Sequence, residues 1–499
     1  MTARVTFAFV LLASAAAVLA QRPDPKELIA LAEKRADNKP WLLVQVARTA
    51  ERVEPEKSLT LARDLLARLK TFKAGHSEFR TIAEIAAPRD LPLRNDALRE
   101  AVKAAQPLLD DAKRWQAATQ PASAAPTWVD PQEQLDQQKR LLQFNIAVWL
   151  AVADNTPREA LLQTLNDAKS AGFYGAETRQ PYLYTVLREL AALEPDLLIS
   201  LGPKVQTHGF ADFCQLISAE RARAGRRDRI TQTLVTYAAN NGAANAESLG
   251  IYADFNLDDA WTRAKKLNGL AALLVIADRL AWRDHAAAIK TVETWPDASV
   301  RRDLVECVGR VWAYKSPDTI DTALTSLDSE PRRNAVKSLA NNELNWRKAG
   351  RPPRDRIELV PRRGAERFFP RTMTDAERQR TRDNLAKRPP TGNATEDAAL
   401  QLLLDHAKMP APKDPNRLAI LQAAAWRMYR TFGDTADITK LTAGLSPGEA
   451  DSIWSHMATQ TARAADPAAA PAMADNIKSN DTFVYTMCEV IRAITDTTY

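Results

Sequence analysis

A serine in a hydrolase-like motif is the first feature of this sequence that could do chemistry. Residues 444–448 read Gly-Leu-Ser-Pro-Gly, which has the form of the hydrolase nucleophile elbow, G-x-S-x-G. That motif needs a strand before the serine and a helix after it, because the strained turn lifts the hydroxyl towards the substrate. Here the preceding residues have a helical pattern, and Ser446, Pro447 and Glu449 form a capping box that starts a helix. We therefore predict that Ser446 is a helix cap.

The histidines and cysteines are too widely separated in the sequence to predict a metal or catalytic site. No H-E-x-x-H, C-x-x-C or phosphate-binding glycine loop occurs. Cys307 and Cys488 each share a helical face with apolar residues, so we expect them to be buried. The sequence predicts no catalytic residue, no metal site and no cofactor. The residues considered are His76, His208, His285, His406, His456, Cys214, Cys307 and Cys488.

A basic segment after the middle of the chain is the most distinctive local feature. Between residues 347 and 371 there are nine Lys and Arg residues and three acidic residues, with Phe368 and Phe369 among them. Guanidinium groups bind phosphate and carboxylate, so this segment could bind an anionic glycan, another envelope component or an acidic protein. The alternative is a solvated loop whose arginines pair with acids on adjacent helices. The predicted binding residues are Arg351, Arg354, Arg356, Arg362, Arg363, Arg367 and Arg371.

The charge balance of the whole chain argues against a nucleic-acid partner. The 499 residues include 68 Lys and Arg and 62 Asp and Glu, which gives a formal net charge of +6. The basic segment alone has an excess of six positive charges (nine minus three), so the remainder of the chain is close to neutral. A nucleic-acid-binding protein would carry a wider basic surface.

A hydrolytic enzyme is the alternative that the acidic residues leave open. Two carboxylates that meet in the fold could hydrolyse a glycosidic bond. The helical lytic transglycosylases also carry a superhelical region before a catalytic domain, and Glu449 and Glu489 are the clearest candidates here. Their surroundings lack the Glu-Ser and Gly-Leu-Met-Gln sequences of those enzymes. The sequence favours a binding or scaffold protein over an enzyme that acts on cell-wall or other polysaccharide through carboxylates.

The N-terminus has the pattern of a secretory signal peptide. Residues 1–4 carry positive charge, residues 5–19 are apolar or small, and residues 18–20 (Val-Leu-Ala) fit a cleavage site. The apolar run is shorter than the roughly 20 residues that a membrane-spanning helix needs. We therefore expect cleavage before Gln21, export to the periplasm or the extracellular space, and no membrane span after cleavage.

The elements that must position these residues are predicted to be helices throughout. Glycine is scarce, at 16 residues, and apolar residues recur at helical spacing, as in Leu59, Ala62, Leu65, Leu66 and Leu69. An acidic or hydroxyl residue followed by proline recurs along the chain and predicts helix starts, with the first residue as the cap. These pairs begin at Glu54, Thr156, Glu194, Ser316 and Asp466.

Short repeats in the middle of the chain resemble known helix-pair proteins. Residues 301–308 match residues 332–339 at a spacing of 31, and Trp282, Trp312 and Trp346 follow one another at spacings of 30 and 34. Such periods are typical of stacked helix pairs, in which tryptophan packs between neighbouring helices. Residues 268–348 resemble the divergent helix-pair repeats of bacterial α-solenoids of the HEAT or tetratricopeptide kind. This resemblance implies an all-α α-solenoid of stacked antiparallel helix pairs, arranged in two or three blocks.

The interruptions of the helical pattern predict the organisation of the chain. A Pro- and Ala-rich stretch reads as a linker, and the basic segment is the longest stretch without helical periodicity. The predicted parts are a signal peptide (1–20), an N-terminal helical block (21–118), a linker (119–130), a helical-repeat core (131–349), the Arg-rich loop (350–374), a helical segment (375–409) and a C-terminal helical block (410–499). We predict an exported helical-repeat protein that mediates protein–protein or anionic-ligand interactions.

Overall fold

The computed structural model is α-helical over the residues that it describes. Twenty-five α-helices and one 3-10 helix lie in these residues, and no β-strand does. The prediction of an all-α protein is confirmed. The side chains of residues 131–135, 181 and 346 lie outside the description. The described residues are 23–36, 38–72, 74–110, 131–154, 156–171, 181–206, 209–348, 373–463 and 469–495.

The described helices belong to two compact units. The chain begins with α1 (Pro25–Arg35), α2 (Pro40–Ala50) and α3 (Pro55–Thr71). It continues with α4 (His76–Ala86), α5 (Leu91–Asp110), α6 (Pro131–Ala153), α7 (Arg158–Ser170), α8 (Pro181–Leu193), α9 (Pro195–Val205), α10 (Phe210–Arg223), α11 (Arg229–Asn240), α12 (Ala246–Tyr252), α13 (Leu257–Leu267), α14 (Leu270–Arg283), α15 (His285–Glu293), α16 (Ala298–Lys315), the 3-10 helix (Pro317–Thr319), α17 (Ile320–Leu324) and α18 (Glu330–Lys348). It ends with α19 (Asp375–Ala386), α20 (Ala394–Leu404), α21 (Arg417–Phe432), α22 (Ala436–Ala443), α23 (Pro447–Arg463), α24 (Ala470–Ala474) and α25 (Asn480–Thr495). The central unit contains α4–α18, and the terminal unit contains α1–α3 and α19–α25.

Proline marks several helix starts as predicted, but the residue before it is not the cap that we expected. Pro55 and Pro195 occupy the first turn of α3 and α9, where the missing N–H costs nothing. The side chains of Glu54 and Glu194 make no capping hydrogen bond. Glu194 instead forms an ion pair with Arg94 of α5. The carboxylate therefore joins two helices rather than capping its own.

The central unit is built from helices that pack in sequence order. Helices α12, α14, α16 and α18 pack in series, and α13, α15 and α17 each contact the two helices that flank them. Apolar stripes at helical spacing close this core, as Leu273, Ile276, Leu304, Val308 and Val336 are fully excluded from solvent. Neighbouring packed pairs of helices are thus the structural basis of this unit.

Hydrogen bonds repeat along the central unit with a period of 32 residues. Arg301 Nη1 donates to the carbonyl of Trp295 at 2.7 Å, and Arg333 Nη1 donates to the carbonyl of Leu327 at 2.5 Å. The prediction matched Arg301 with Arg332, at a spacing of 31. Two arginines stand side by side at 301–302 and at 332–333, so spacings of 31 and 32 look alike in the sequence. The hydrogen bonds to the carbonyl groups show that Arg333 is the equivalent of Arg301.

The ends of many helices are closed by a cation from a neighbouring helix. The last four carbonyl groups of a helix lack partners within it and carry partial negative charge, so a Lys or Arg side chain stabilises them. Lys315 Nζ of α16 lies 2.6 Å from the carbonyl oxygen of Trp282, in the last turn of α14. The donor–carbonyl pairs of this kind are Arg94–Leu193, Arg99–Ala153, Lys169–Val205, Arg263–Ala239, Lys315–Trp282 and Arg347–Tyr314.

The terminal unit brings together the first and the last helices that the structure describes. Helices α21, α23 and α25 pack in series, and α1 and α2 both pack against α25. Lys39 forms a 2.6 Å ion pair with Asp481, and Arg35 donates to the side-chain oxygen of Asn480 at 2.8 Å. The Arg35 guanidinium also lies 4.4 Å from the ring centroid of Phe483. The N-terminal helices thus continue the C-terminal stack.

No described helix combines the length and the apolar composition that crossing a membrane requires. Of the predicted boundaries, the linker (119–130) lies outside the described residues, as does the Arg-rich loop (350–374) except for Met373 and Thr374. The division of the chain into those blocks stays a prediction.

Replacing Lys315 with methionine tests the closing of helix ends by cations. The substitution keeps most of the apolar length of the side chain but removes the donor to Trp282, and we expect it to lower the free energy of unfolding by about 1 kcal/mol. Urea unfolding followed by circular dichroism measures this change. Lys290→Met is the matched control, because Lys290 is exposed on α15, and we expect less than about 0.5 kcal/mol there. Equal losses in both variants would contradict the role of Lys315.

Candidate functional site

The predicted binding arginines lie outside the described residues. Residues 349–372 carry all seven of them: Arg351, Arg354, Arg356, Arg362, Arg363, Arg367 and Arg371. Arg347, which begins the same basic run, is described and is engaged within the central unit. Its Nε lies 3.1 Å from Glu343, whose side chain is fully buried, and its Nη2 donates to the carbonyl of Tyr314. This first arginine of the run therefore has a structural role.

A cluster of buried charges, the Arg80 cluster, is the strongest constellation that the structure brings together. It consists of Arg80, Glu84, Trp149, Glu189 and Arg226. Arg80 holds Glu189 with two donors, Nε at 2.9 Å from Oε1 and Nη2 at 2.8 Å from Oε2. Trp149 Nε1 donates to Glu189 Oε1 at 2.8 Å. Glu84 accepts from both Arg80 and Arg226.

Four parts of the central unit supply the Arg80 cluster. Helix α4 presents Arg80 and Glu84 on one face, because residues four apart are neighbours on a helix. Helix α6 supplies Trp149, α8 supplies Glu189, and the turn after α10 supplies Arg226. Only the pair within α4 has a signal in the sequence. The other contacts join residues 40 to 142 positions apart, such as Trp149 with Glu189 and Arg226 with Glu84, and no local pattern predicts them.

The carboxylates of the Arg80 cluster hold Arg80 in its charged form. Burial alone would lower the pKa of Arg80, but the negative charges of Glu84 and Glu189 outweigh it and hold the pKa above its ordinary value. Glu84 and Glu189 are each bound to arginine. This arrangement ties the helices of the cluster together.

The serine and glutamates singled out in the sequence also have structural partners. Ser446 precedes α23, its backbone N–H donates to Glu449 Oε2 at 3.2 Å, and the Glu449 N–H donates to Ser446 Oγ at 3.4 Å. The predicted capping box is confirmed. The hydrogen bonds from Arg417 and Ser446 lower the pKa of Glu449 below its ordinary value. Glu489 forms ion pairs with Arg492 and Arg463.

All three cysteines are free thiols, and burial makes them poor nucleophiles. Cys214 and Cys488 are buried as small apolar residues, and Cys307 is half-buried with its Sγ 3.7 Å from the carbonyl oxygen of Leu274. Burial raises the pKa of Cys214 and of Cys307 to about 12. The expectation of burial is confirmed for Cys488 and is only partly met for Cys307, which lies at the edge of the core.

Two of the described histidines lie next to tryptophan rings. The ring of His285 meets that of Trp312 at 4.5 Å, and the ring of His76 lies 6.0 Å from that of Trp149. Burial lowers the pKa of His76, His285 and His456, and the charge of Lys315 lowers that of His285 further. Their imidazoles are thus held neutral. His208 lies outside the described residues.

Comparisons with known proteins give no identity for this chain. Within the described part of the chain, no three His, Cys, Asp or Glu side chains come together in a way that would hold a metal ion. The chain matches no protein family, no curated protein and no solved structure. The functional argument therefore depends on the fold and on the charges described above.

Replacing Glu189 with glutamine tests whether the Arg80 cluster holds the central unit together. The variant leaves Arg80, whose side chain is 23 % exposed, with one carboxylate partner, and we expect it to lower the free energy of unfolding by about 2 kcal/mol. Glu220→Gln is the matched control, since Glu220 of α10 pairs with Arg188 of α8 at the surface, and we expect less than about 1 kcal/mol there. Guanidinium unfolding measures both. A loss at Glu189 no larger than that at Glu220 would contradict this role.

The lowered histidine pKa values predict a pH dependence of stability. Below pH 6.5, the ordinary histidine pKa, the histidines of the unfolded chain bind protons more readily than those of the folded chain. The stability that the neutral histidines contribute is therefore complete above pH 6.5, and it is lost as the pH falls through their folded-state pKa values. We expect the triple variant with His76, His285 and His456 changed to Gln to lose less stability than wild type between pH 7.5 and 5.5. Parallel pH profiles from thermal unfolding of both proteins would contradict this expectation.

Proposed function

We propose that the protein is an exported scaffold, periplasmic or extracellular, that binds anionic ligands or acidic protein surfaces through its Arg-rich segment. The observation that carries this proposal is the helix-pair repeat of the central unit, in which equivalent hydrogen bonds recur after 32 residues. Repeats of this length support an α-solenoid of the HEAT or tetratricopeptide kind. Solenoids present long surfaces to partners and need no cofactor.

The distribution of charge supports an anionic ligand. The acidic residues of the Arg80 cluster and many surface carboxylates are already paired with arginine within the protein. Positive charge is in excess in the segment from 347 to 371, where nine cations accompany three acids. Arginine binds planar anions with two parallel hydrogen bonds, which suits carboxylate and phosphate groups. The pattern at the N-terminus supports export, because it has the charged, apolar and small-residue parts of a signal peptide.

A binding experiment with a defined polyanion tests the proposed function. Wild-type protein and a variant with the seven arginines from Arg351 to Arg371 changed to Gln are titrated with fluorescently labelled inorganic polyphosphate. We expect wild type to bind with an affinity that falls as salt is added, and the variant to bind at least about tenfold more weakly, because seven cations in one segment are lost.

A second variant with the same net charge is the control for this experiment. It changes seven exposed lysines outside the segment to Gln: Lys204, Lys265, Lys266, Lys290, Lys337, Lys413 and Lys478. We expect it to keep most of the wild-type affinity. If both variants weaken binding equally, overall charge rather than the segment is responsible. If wild type does not bind polyphosphate at all, the proposed anionic ligand is wrong.

A further inference from the structure

Four helices of the terminal unit lie side by side and point in the same direction. Helices α21, α23, α25 and α2 pack in that order. Side-chain contacts join residues at corresponding depths of neighbouring helices, so all four helices run parallel. We call these four helices the terminal layer. The contacts that establish its direction are Arg417–Glu449, Ser455–Thr486 and Lys39–Asp481.

Other helices cover one face of the terminal layer, and residues on the opposite face remain accessible to water. Helices α22, α24 and α1 each pack against two consecutive helices of the layer, and α3 packs against α2. On the covered face, Phe483 of α25 is buried and lies against Arg35 of α1. Residues at helical spacing form the opposite face, which we call the open face. Its exposed or half-buried residues include Trp41, Gln45, Arg48, His456, Thr459, Arg463, Thr482, Tyr485, Glu489 and Arg492.

Three arginines come together where the parallel helices of the open face end. Arg492 of α25 and Arg463 of α23 both form ion pairs with Glu489, and Nη1 of Arg52, just after α2, lies 3.5 Å from the carbonyl oxygen of Arg492. The distance from Arg463 to Glu489 is 3.7 Å, and the Arg463 side chain is 57 % exposed. Exposed ion pairs of this kind are weak. A carboxylate from outside the protein can therefore compete with Glu489 for these arginines.

Two exposed aromatic side chains lie nearer the start of the same helices. Trp41 is 41 % exposed and Tyr485 is 49 % exposed. They stand on neighbouring parallel helices, close to the ion pair between Lys39 and Asp481, and the axes of packed helices are about 8–10 Å apart. Tryptophan, tyrosine and arginine are the residue types that contribute most to the binding energy of protein interfaces. The open face presents all three types together.

The spacing of these side chains suits a short, extended polypeptide. Tyr485 and Arg492 both belong to α25, and their separation in the sequence corresponds to about 10 Å along the helix axis. An extended chain advances about 3.3 Å per residue. An apolar side chain against the rings and a carboxylate beside the arginines therefore belong three residues apart in the partner. The positive charge of the arginines favours an acidic partner and disfavours a basic one.

We propose that the open face of the terminal layer binds an acidic segment of another polypeptide. An apolar side chain of the partner packs on Trp41 and Tyr485. A carboxylate three residues away takes the place of Glu489 beside Arg463 and Arg492. This site uses residues of α2, α23 and α25 alone, so it does not depend on the function proposed for the Arg-rich segment.

Fluorescence anisotropy with a labelled synthetic peptide tests this site in the full-length protein. The acidic peptide has two Leu residues, each followed three residues later by Glu, in a background of Ser and Gly. A basic peptide with Lys in place of Glu is its control. We expect wild type to bind the acidic peptide at least about tenfold more tightly than the basic one. Equal affinity for the two peptides would overturn the proposal.

Three variants of the open face test its two parts. We expect Trp41→Ala to weaken binding of the acidic peptide about tenfold, because an aromatic anchor is lost. We expect Arg463→Gln to weaken it about threefold, because one exposed ion pair with the peptide is lost. Glu489→Gln should strengthen binding about threefold, since it removes the carboxylate that competes for the arginines. Partial unfolding cannot produce this gain in affinity, and a loss in Glu489→Gln would contradict the proposed site.

Two variants of the central unit are the matched controls. Leu267→Ala removes another exposed apolar side chain, and Arg302→Gln breaks a similar exposed ion pair, in which Arg302 lies 3.6 Å from Asp328. We expect both to bind the acidic peptide as wild type does. If the controls weaken binding as much as Trp41→Ala and Arg463→Gln, the open face is not the site.

Photo-crosslinking shows where the peptide binds. With a benzophenone group in place of one Leu of the peptide, we expect cross-links to residues 40–50 and 480–495, and cross-links only elsewhere would overturn the proposal. We also expect binding to persist when the seven arginines from Arg351 to Arg371 are changed to Gln, whereas its loss would exclude the open face as the site. If polygalacturonate binds in an Arg463-dependent way and the peptide does not bind, the open face takes a glycan and the proposed polypeptide partner is wrong.

Discussion

The unpaired carbonyl groups at the ends of the helices are a constraint that the whole fold must satisfy. An all-α chain with 25 described helices has many exposed carbonyl ends, and each end needs a partner. Arginine and lysine supply the partner from the next helix, as Lys315 does for α14 and Arg347 does for α16. The same bond that closes one helix therefore fixes the distance and register of the next.

Local patterns in the sequence predict the helices and some of their ends. The register of the repeats and the clusters of charged side chains depend on contacts between distant residues, which no local pattern shows. The capping box of Ser446 and Glu449 lies within four residues, so the sequence shows it in full. The match of residues 301–308 with 332–339 differs by one residue from the spacing of the contacts, because two adjacent arginines stand at each equivalent place and only the carbonyl contact distinguishes them. The Arg80 cluster has no local signature, since Glu189 reaches Arg80 only after the helices have packed.

Charge inside the protein joins one helix to another. Glu189 of α8 pairs with Arg80 of α4, and Asp437 of α22 pairs with Arg382 of α19. Such pairs contribute little net stability compared with apolar packing, but they penalise any arrangement that leaves one charge without its partner. Ion pairs between helices therefore favour one way of packing these similar helices over the others. Glu449 has the same kind of partner in Arg417, so the acidic residues that suggested an enzyme are bound to arginine.

The packing of the first described helices against the last gives the terminal unit contacts of very long sequence separation. Helices α1 and α2 find a packing partner in α25, more than 400 residues later in the chain. From α12 to α18, by contrast, the helices pack against their neighbours in sequence, so this part of the central unit closes shorter loops. The two units therefore differ in how much chain entropy their packing must overcome. A variant without α25 would expose to water the parts of α1 and α2 that pack against it.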